Sequence, residues 1–275
     1  MLYVREKKTV VDGYMEVDIF ARDTAQDAPQ KKGTRSKRVR ETAPAQGNLN
    51  DKNARRYLTQ LANGNFGEND LFVTLTYTDE YLPKTVDEAE KHVTKFLRRV
   101  KDKRKKLGLD PLKYILVTEY NEDEDGHLTT RIHHHLLMNG MDRDTLEGLW
   151  RERMLVNGKT GMHKLGLVST KRIDPDFDKL RNGVEGLAMY MIKNPKGKKR
   201  WSSSRNLKRP VSRNNDHKYS RKRLRENAFD PAAGFIFFEK QYSGWKITAP
   251  IEYEKNPVTG EWSALLRLWR RKDAA

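Results

Sequence analysis

Three consecutive histidines, His133, His134 and His135, lead directly into Leu136, Leu137 and Met138. Side chains alternate across an extended strand, so His133 and His135 would share one face and His134 the other. Two imidazoles presented side by side form half a site for a divalent cation. The apolar flank argues for burial, and buried imidazole nitrogens need partners, which a cation supplies. The plainer reading is one satisfied core histidine with solvated neighbours at a strand end.

A third donor comes from the preceding segment. Tyr114 to Tyr120 reads as a strand, followed by the acidic turn Asn121-Glu122-Asp123-Glu124-Asp125-Gly126. A hairpin turning near Asp125-Gly126 places Glu119 almost opposite His133, because residues equidistant from the turn pair across an antiparallel ladder. Two neutral imidazoles and one carboxylate can hold a divalent ion and leave positions open for a phosphate oxygen. Glu119 could equally be an exposed carboxylate at a strand end. The chain has no cysteine, so any metal must be held by histidine and carboxylate; zinc is chemically admissible at such a set.

The elements that must position these residues follow from periodicity. Met15, Val17 and Ile19 alternate with Glu16 and Asp18 in a half-buried strand. From Arg22 to about Leu49 apolar residues are sparse, and Lys31 to Arg38 is strongly basic, which predicts a linker or arm. A helix is expected over Asp51 to Ala62 and a strand over Leu71 to Tyr77. Thr85-Val86-Asp87-Glu88 is a capping-box start for a long helix to about Leu107, whose apolar stripe is Val86, Ala89, Val93, Phe96, Leu97 and Val100. Strands over Tyr114 to Tyr120 and Ile132 to Met138 pair as a hairpin. A helix over Asp144 to Leu155, a strand over Leu167 to Ile173 and a helix over Phe177 to Lys193 complete the series, with short strands at Phe235 to Phe238 and Trp245 to Tyr253. The order β-α-β-β-α-β predicts an α+β fold: an antiparallel sheet with a split βαβ arrangement of ferredoxin or RRM type and helices packed on one face. The expected organisation is an N-terminal strand and basic arm over 1–49, the core over 50–195, and a basic segment with C-terminal strands over 196–275 completing the same domain.

The 275 residues carry 55 Lys and Arg against 38 Asp and Glu, a formal net charge of +17. Such an excess predicts attraction to a polyanion, with nucleic acid the first candidate. No apolar stretch reaches spanning length and no N-terminal signal pattern appears, so no membrane partner and a cytoplasmic location are expected. From Lys196 to Arg225 there are 13 Lys and Arg against one acid, Asp216, with Trp201, Tyr219 and the run Ser202 to Ser204 interspersed. This pattern suits a surface that tracks a nucleic-acid backbone, with Arg200, Arg205, Lys208 and Arg209 as DNA contacts; the alternative is a solvated charged loop. Asn157-Gly158-Lys159-Thr160 is not a phosphate loop, since the required upstream glycine is Arg153. The position after His135 in an alternating histidine series is Leu137, which excludes histidine-triad hydrolases.

Three blocks now stand in order: Leu71-Phe72-Val73-Thr74-Leu75-Thr76-Tyr77, then Arg131 to Met138, then Tyr190-Met191-Ile192-Lys193. Together they resemble the three motifs of HUH endonucleases, most nearly those of the rolling-circle replication initiators of phages and plasmids. Asn50 to Arg56 and Lys199 to Asn206 are also similar to this group. The resemblance implies that His133 and His135 are metal ligands, that Glu119 completes the site, that Tyr190 is the nucleophile and that Lys193 accompanies it. It implies Mg²⁺ or Mn²⁺ as cofactor. His134 stands where these proteins usually carry a bulky apolar or aromatic residue and should point away from the metal. Without the resemblance, Tyr190 could simply pack with Leu187 and Met191 in a buried helix face.

The implied activity is metal-dependent, site-specific nicking of single-stranded DNA at a replication origin. A phenolate attacking a phosphodiester forms a phosphotyrosine and frees a 3′-hydroxyl, conserving the bond for later resealing, while a nearby lysine aids ionisation of a phenol whose free pKa is about 10. Some members carry a second tyrosine one turn away, but four residues before Tyr190 stands Gly186, so termination needs a second protomer at the origin or a water-assisted step. The implied partners are an origin hairpin, a host helicase and a DNA polymerase. A relaxase or single-strand transposase using the same site, and a non-catalytic nucleic-acid-binding protein, are the alternatives.

Overall fold

The computed structural model describes residues 1–27, 44–123, 125, 127–156, 158–175, 183–193 and 200–271. The expected basic run Lys31 to Arg38, the first part of the helix expected from Phe177, and Lys196 to Lys199 lie outside the described residues. In chain order the strands and α-helices are β1 (Leu2–Val11), β2 (Tyr14–Asp23), α1 (Pro44–Asn63), β3 (Leu71–Leu75), α2 (Val86–Lys106), β4 (Tyr114–Glu119), β5 (His133–Met138), α3 (Arg143–Glu147), β6 (Arg151–Val156), β7 (Lys159–Lys164), β8 (Val168–Arg172), α4 (Glu185–Met191), β9 (Ser202–Ser203), β10 (Val211–Asn215), α5 (Arg221–Phe229), α6 (Pro231–Gln241), β11 (Trp245–Ile247), β12 (Glu252–Lys255) and β13 (Trp262–Arg270). The fold is α+β with antiparallel sheets.

The chain forms two compact units: Asn65–Pro175 with Gly183–Leu207, and Met1–Gly64 with Asp176–Asn182 and Lys208–Ala275. The sequence-based boundaries put 196–275 in one domain with the core, whereas Lys208–Ala275 groups with the N-terminal strands.

In the first of these units five strands lie in the order β8-β3-β5-β4-β9. Both β3 and β4 run antiparallel to β5 between them, so the crossover through α2 is split by the histidine strand. Helix α2 begins where Thr85 caps it by accepting a hydrogen bond from the Glu88 amide. Its apolar stripe, Val93, Phe96 and Val100, packs with Leu71, Val73, Leu75, Leu136 and Met138. Alternation along β3 and β5 then turns Phe72, Thr74, His133 and His135 to the opposite face.

Two expectations in the C-terminal half of the sequence fail for identifiable reasons. The helix expected over Asp144 to Leu155 ends at Glu147 with Gly148 as its cap. Trp150 is then wholly buried, donating its indole N–H to the Thr76 carbonyl at 2.8 Å, and the chain continues as the β6–β7 hairpin. Gly158, at φ +72°, turns that hairpin, so the Asn-Gly pair dismissed as a phosphate loop carried a turn signal. The strand expected at Phe235 to Phe238 is part of α6. Asp230 caps it by accepting from the Ala233 amide and Pro231 occupies the first turn, a start signal that outweighs the apolar run.

The second unit is built on a sheet ordered β10-β1-β2-β13-β11, with β12 also pairing β13. One face packs Val4, Met15, Val17, Ile19, Leu266 and Leu268 with Leu224 of α5 and Phe238 of α6. On the other face Arg56 of α1 grips Asp18 with two hydrogen bonds, at 2.7 and 2.8 Å, and Glu16 at 2.5 Å.

Candidate metal centre and its tyrosine

The antiparallel register places Glu119 directly opposite His133 and Val117 opposite His135. The ligand atoms of Glu119, His133 and His135 all lie within 4.8 Å of one another. Glu119 Oε2 is 3.1 Å from His135 Nε2 and 3.2 Å from His133 Nε2, so two imidazole nitrogens converge on one carboxylate oxygen.

The outer nitrogens are held by fixed partners. His133 Nδ1 lies 3.0 Å from the Arg131 carbonyl, which can only accept, so Nδ1 carries the proton and Nε2 presents its lone pair inward. His135 Nδ1 meets the Thr74 hydroxyl at 3.1 Å, across the β3–β5 register that pairs these two residues. Burial lowers the His135 pKa more than its bond to Glu119 raises it, which favours the neutral, ligating imidazole. His135 is 2% exposed, whereas His133 and Glu119 are 32% and 30% exposed, so the cluster opens to solvent on one side where a polymer can approach. Two neutral nitrogens and a carboxylate, braced from behind, fit a divalent ion of borderline hardness.

His134 points to the other face, where it is fully buried. Its Nδ1 meets the Thr118 hydroxyl at 2.9 Å and its Nε2 the Tyr77 hydroxyl at 3.0 Å. With both nitrogens occupied there, it cannot join the cluster. Burial, with a smaller contribution from the flanking imidazoles, holds its pKa down at about 3.

Tyr190 lies on α4 against the face that carries the cluster. Its ring centroid is 5.3 Å from that of His135 and 6.1 Å from that of Phe72, and the residue is 53% exposed. A buried packing role for Tyr190 therefore does not hold. Lys193 is exposed and lies beyond the helix end, its amide bonded to the Tyr190 carbonyl at 3.3 Å. Phe72 also stacks on His135, at 5.7 Å and 10° between planes. Phe72 and Thr74 were not singled out from the sequence. The signal was present, since the burial of Leu71, Val73 and Leu75 leaves the intervening residues on the histidine face.

Residues 70–195 match the family model of the replication-associated protein ORF2. This is a rolling-circle replication-initiator family of the HUH type, and the match spans a little under half of the 275 residues. No curated protein and no solved structure matches the chain significantly.

The segment matched by the replication-initiator family contains Glu119, His133, His135, Tyr190 and Lys193 and ends before the four expected DNA contacts. Arg200 and Arg205 belong to the same compact unit as the histidines, with Arg205 exposed, whereas Lys208 and Arg209 belong to the other unit. Lys208 is paired there with Asp12 at 2.5 Å. No helix of the described residues is long and apolar enough to cross a membrane.

Proposed function

We propose that this protein nicks single-stranded DNA at a replication origin through a covalent 5′-phosphotyrosine at Tyr190 and so initiates rolling-circle replication. The observation that carries the reading is the convergence of His133 Nε2 and His135 Nε2 on Glu119 Oε2, with the Tyr190 ring against His135 on the same face. Glu119, His133 and His135 would hold Mg²⁺ or Mn²⁺, which when bound polarises a phosphodiester and offsets the charge that builds on its oxygens.

The remaining work falls to the chain. The Tyr190 hydroxyl loses its proton and its oxygen forms a bond to phosphorus, while the bond from phosphorus to the 3′-oxygen breaks and that oxygen leaves, protonated, as a free 3′-hydroxyl. One phosphodiester replaces another, so a later 3′-hydroxyl can reverse the step and reseal the strand. Lys193 favours the phenolate and the anionic phosphate by its charge. Exposure of Tyr190 lets a strand reach it, and the buried contacts of His135 with Thr74 and Phe72 hold the neighbouring imidazole still. Arg200, Arg205, Lys208 and Arg209 contact the DNA backbone. A host helicase and polymerase extend the freed end, and a second protomer supplies the tyrosine that closes each round.

The test uses single-stranded oligonucleotides tiled over the DNA flanking the gene, incubated with the protein and Mn²⁺. A denaturing gel should show an adduct linked to the 5′ side of a single cut. Tyr190→Phe should lower adduct yield roughly a thousandfold or more, and chelator should abolish it. An adduct of normal yield from Tyr190→Phe, or one indifferent to chelator, would remove the mechanism.

A further inference from the structure

Most of the positive charge lies in the unit that lacks the histidine cluster. That unit contains 30 Lys and Arg against 18 Asp and Glu, whereas the unit with the cluster has 25 against 20. A net charge of this size on the β10-β1-β2-β13-β11 unit raises the local concentration of any polyanion.

We infer that the β1–β10 edge of this unit is a second DNA contact, which grips the phosphate backbone through Lys8, Arg213, Lys218 and Arg223. β10 is the outermost strand, and all five of its residues are exposed. Lys8 stands directly opposite Arg213 in the antiparallel register. Like charges facing across a ladder repel, so the pair is unfavourable until an anion lies between or over them. Arg213 has no ion pair among the described residues. The carboxylate at this edge is Glu6, which is fully buried and already engaged by Lys218 at 3.0 Å, the Tyr242 hydroxyl at 2.6 Å and Lys8 at 3.6 Å. Asp216, just past β10, is taken by two hydrogen bonds from Arg5.

The cations continue from the strand edge onto α5. Lys218 lies 4.2 Å from the ring centroid of Tyr242 and 5.2 Å from that of Tyr219. Tyr219 in turn meets Phe237 at 6.1 Å, and Arg223 lies over Phe237 at 5.4 Å, its exposed pairing with Glu226 being solvent-screened. The result is a row of cations with half-exposed aromatic rings between them, a composition that suits a nucleic-acid strand. The β10 side chains beside Arg213 are Ser212, Asn214 and Asn215, with Val211 alone apolar, too little to insert into an anionic bilayer. That the polyanion is DNA rests on the replication reading above.

The test measures binding of the full chain to a 30-nucleotide mixed-sequence single strand and to a 30-base-pair duplex, by fluorescence anisotropy across a salt series. A Lys8→Gln, Arg213→Gln double variant should reduce the slope of log K against log salt by about 1.4 for the single strand, or about 1.8 if the edge prefers duplex. At 0.1 M salt the first of these corresponds to roughly twentyfold weaker binding, because the electrostatic contribution vanishes near 1 M. A Lys8→Arg, Arg213→Lys double variant should keep both affinity and slope. Both variants should melt at the wild-type temperature, since the altered side chains lie at the surface. At saturating protein, the covalent adduct should form at the wild-type rate. Unchanged affinity and slope in the glutamine variant would overturn the inference. So would loss of binding to phosphatidylserine vesicles with DNA binding intact. A wild-type protein that forms no adduct, yet loses salt-dependent binding in the glutamine variant, would sink the nicking proposal and leave this contact standing.

Discussion

Each imidazole of the histidine run is assigned its task by what holds its far nitrogen. The Arg131 carbonyl and the Thr74 hydroxyl turn His133 Nε2 and His135 Nε2 toward Glu119, while Thr118 and Tyr77 occupy both nitrogens of His134 on the opposite face. If Thr74 orients His135, Thr74→Val should weaken Mn²⁺ binding by about tenfold, read by titration calorimetry, with Thr74→Ser close to wild type. Equal affinity in all three proteins would show that packing against Phe72 alone holds the ring. His134 yields a stability prediction with a definite sign. The unfolded chain takes up a proton near pH 6.5, whereas the buried imidazole resists protonation until about pH 3. Stability is therefore full above pH 6.5 and falls as the pH drops through the window between these values, by up to about 1.4 kcal/mol per pH unit. Urea unfolding between pH 7.5 and 5 should show this slope in wild type and a shallower one in His134→Gln. Parallel slopes would assign the acid sensitivity to other groups.

At the scale of elements, a site made from neighbouring strands was legible because antiparallel register is arithmetic. Glu119 faces His133 from the turn position alone, and the strand pattern at Leu71 separates a packed face from a face that carries chemistry. The capping box at Thr85 located α2 for a similarly local reason. What was not legible depended on partners remote in sequence. Trp150 fits a helical stripe as well as it fits a chain turning into a core, and only its bond to the Thr76 carbonyl decides. Phe235 and Ile236 look like strand residues, yet they are 39% and 58% exposed on α6, and the Asp-Pro start was the better guide. Strand β1 pairs with β2 and also with β10, more than two hundred residues later, a closure that local periodicity cannot announce. The contact between α1 and β2 makes a prediction at this scale. Arg56→Ala would leave Glu16, which is 1% exposed, without its guanidinium partner. That should cost about 3 to 5 kcal/mol, read as a lower denaturation midpoint. An Arg56→Ala protein as stable as wild type would mean that Gln60 and Tyr14, which also bond Glu16, suffice.

Across the whole molecule, charge and chemistry are divided. The family match lies over 70–195 and includes the histidine cluster and Tyr190, whereas the larger share of the net positive charge belongs to the unit formed by the two ends of the chain. Composition alone announced a polyanion partner but could not say which unit carried the excess, because that unit is assembled from distant segments. Nicking by this chain requires a divalent cation held between β4 and β5 within reach of the Tyr190 hydroxyl. Crystals grown with Mn²⁺ and measured at its absorption edge test this most directly. One anomalous peak should appear, bonded to His133 Nε2, His135 Nε2 and the Glu119 carboxylate, with the Tyr190 hydroxyl facing it. A peak bound elsewhere with these three side chains empty, or a Tyr190 hydroxyl turned away from the bound ion, would contradict it.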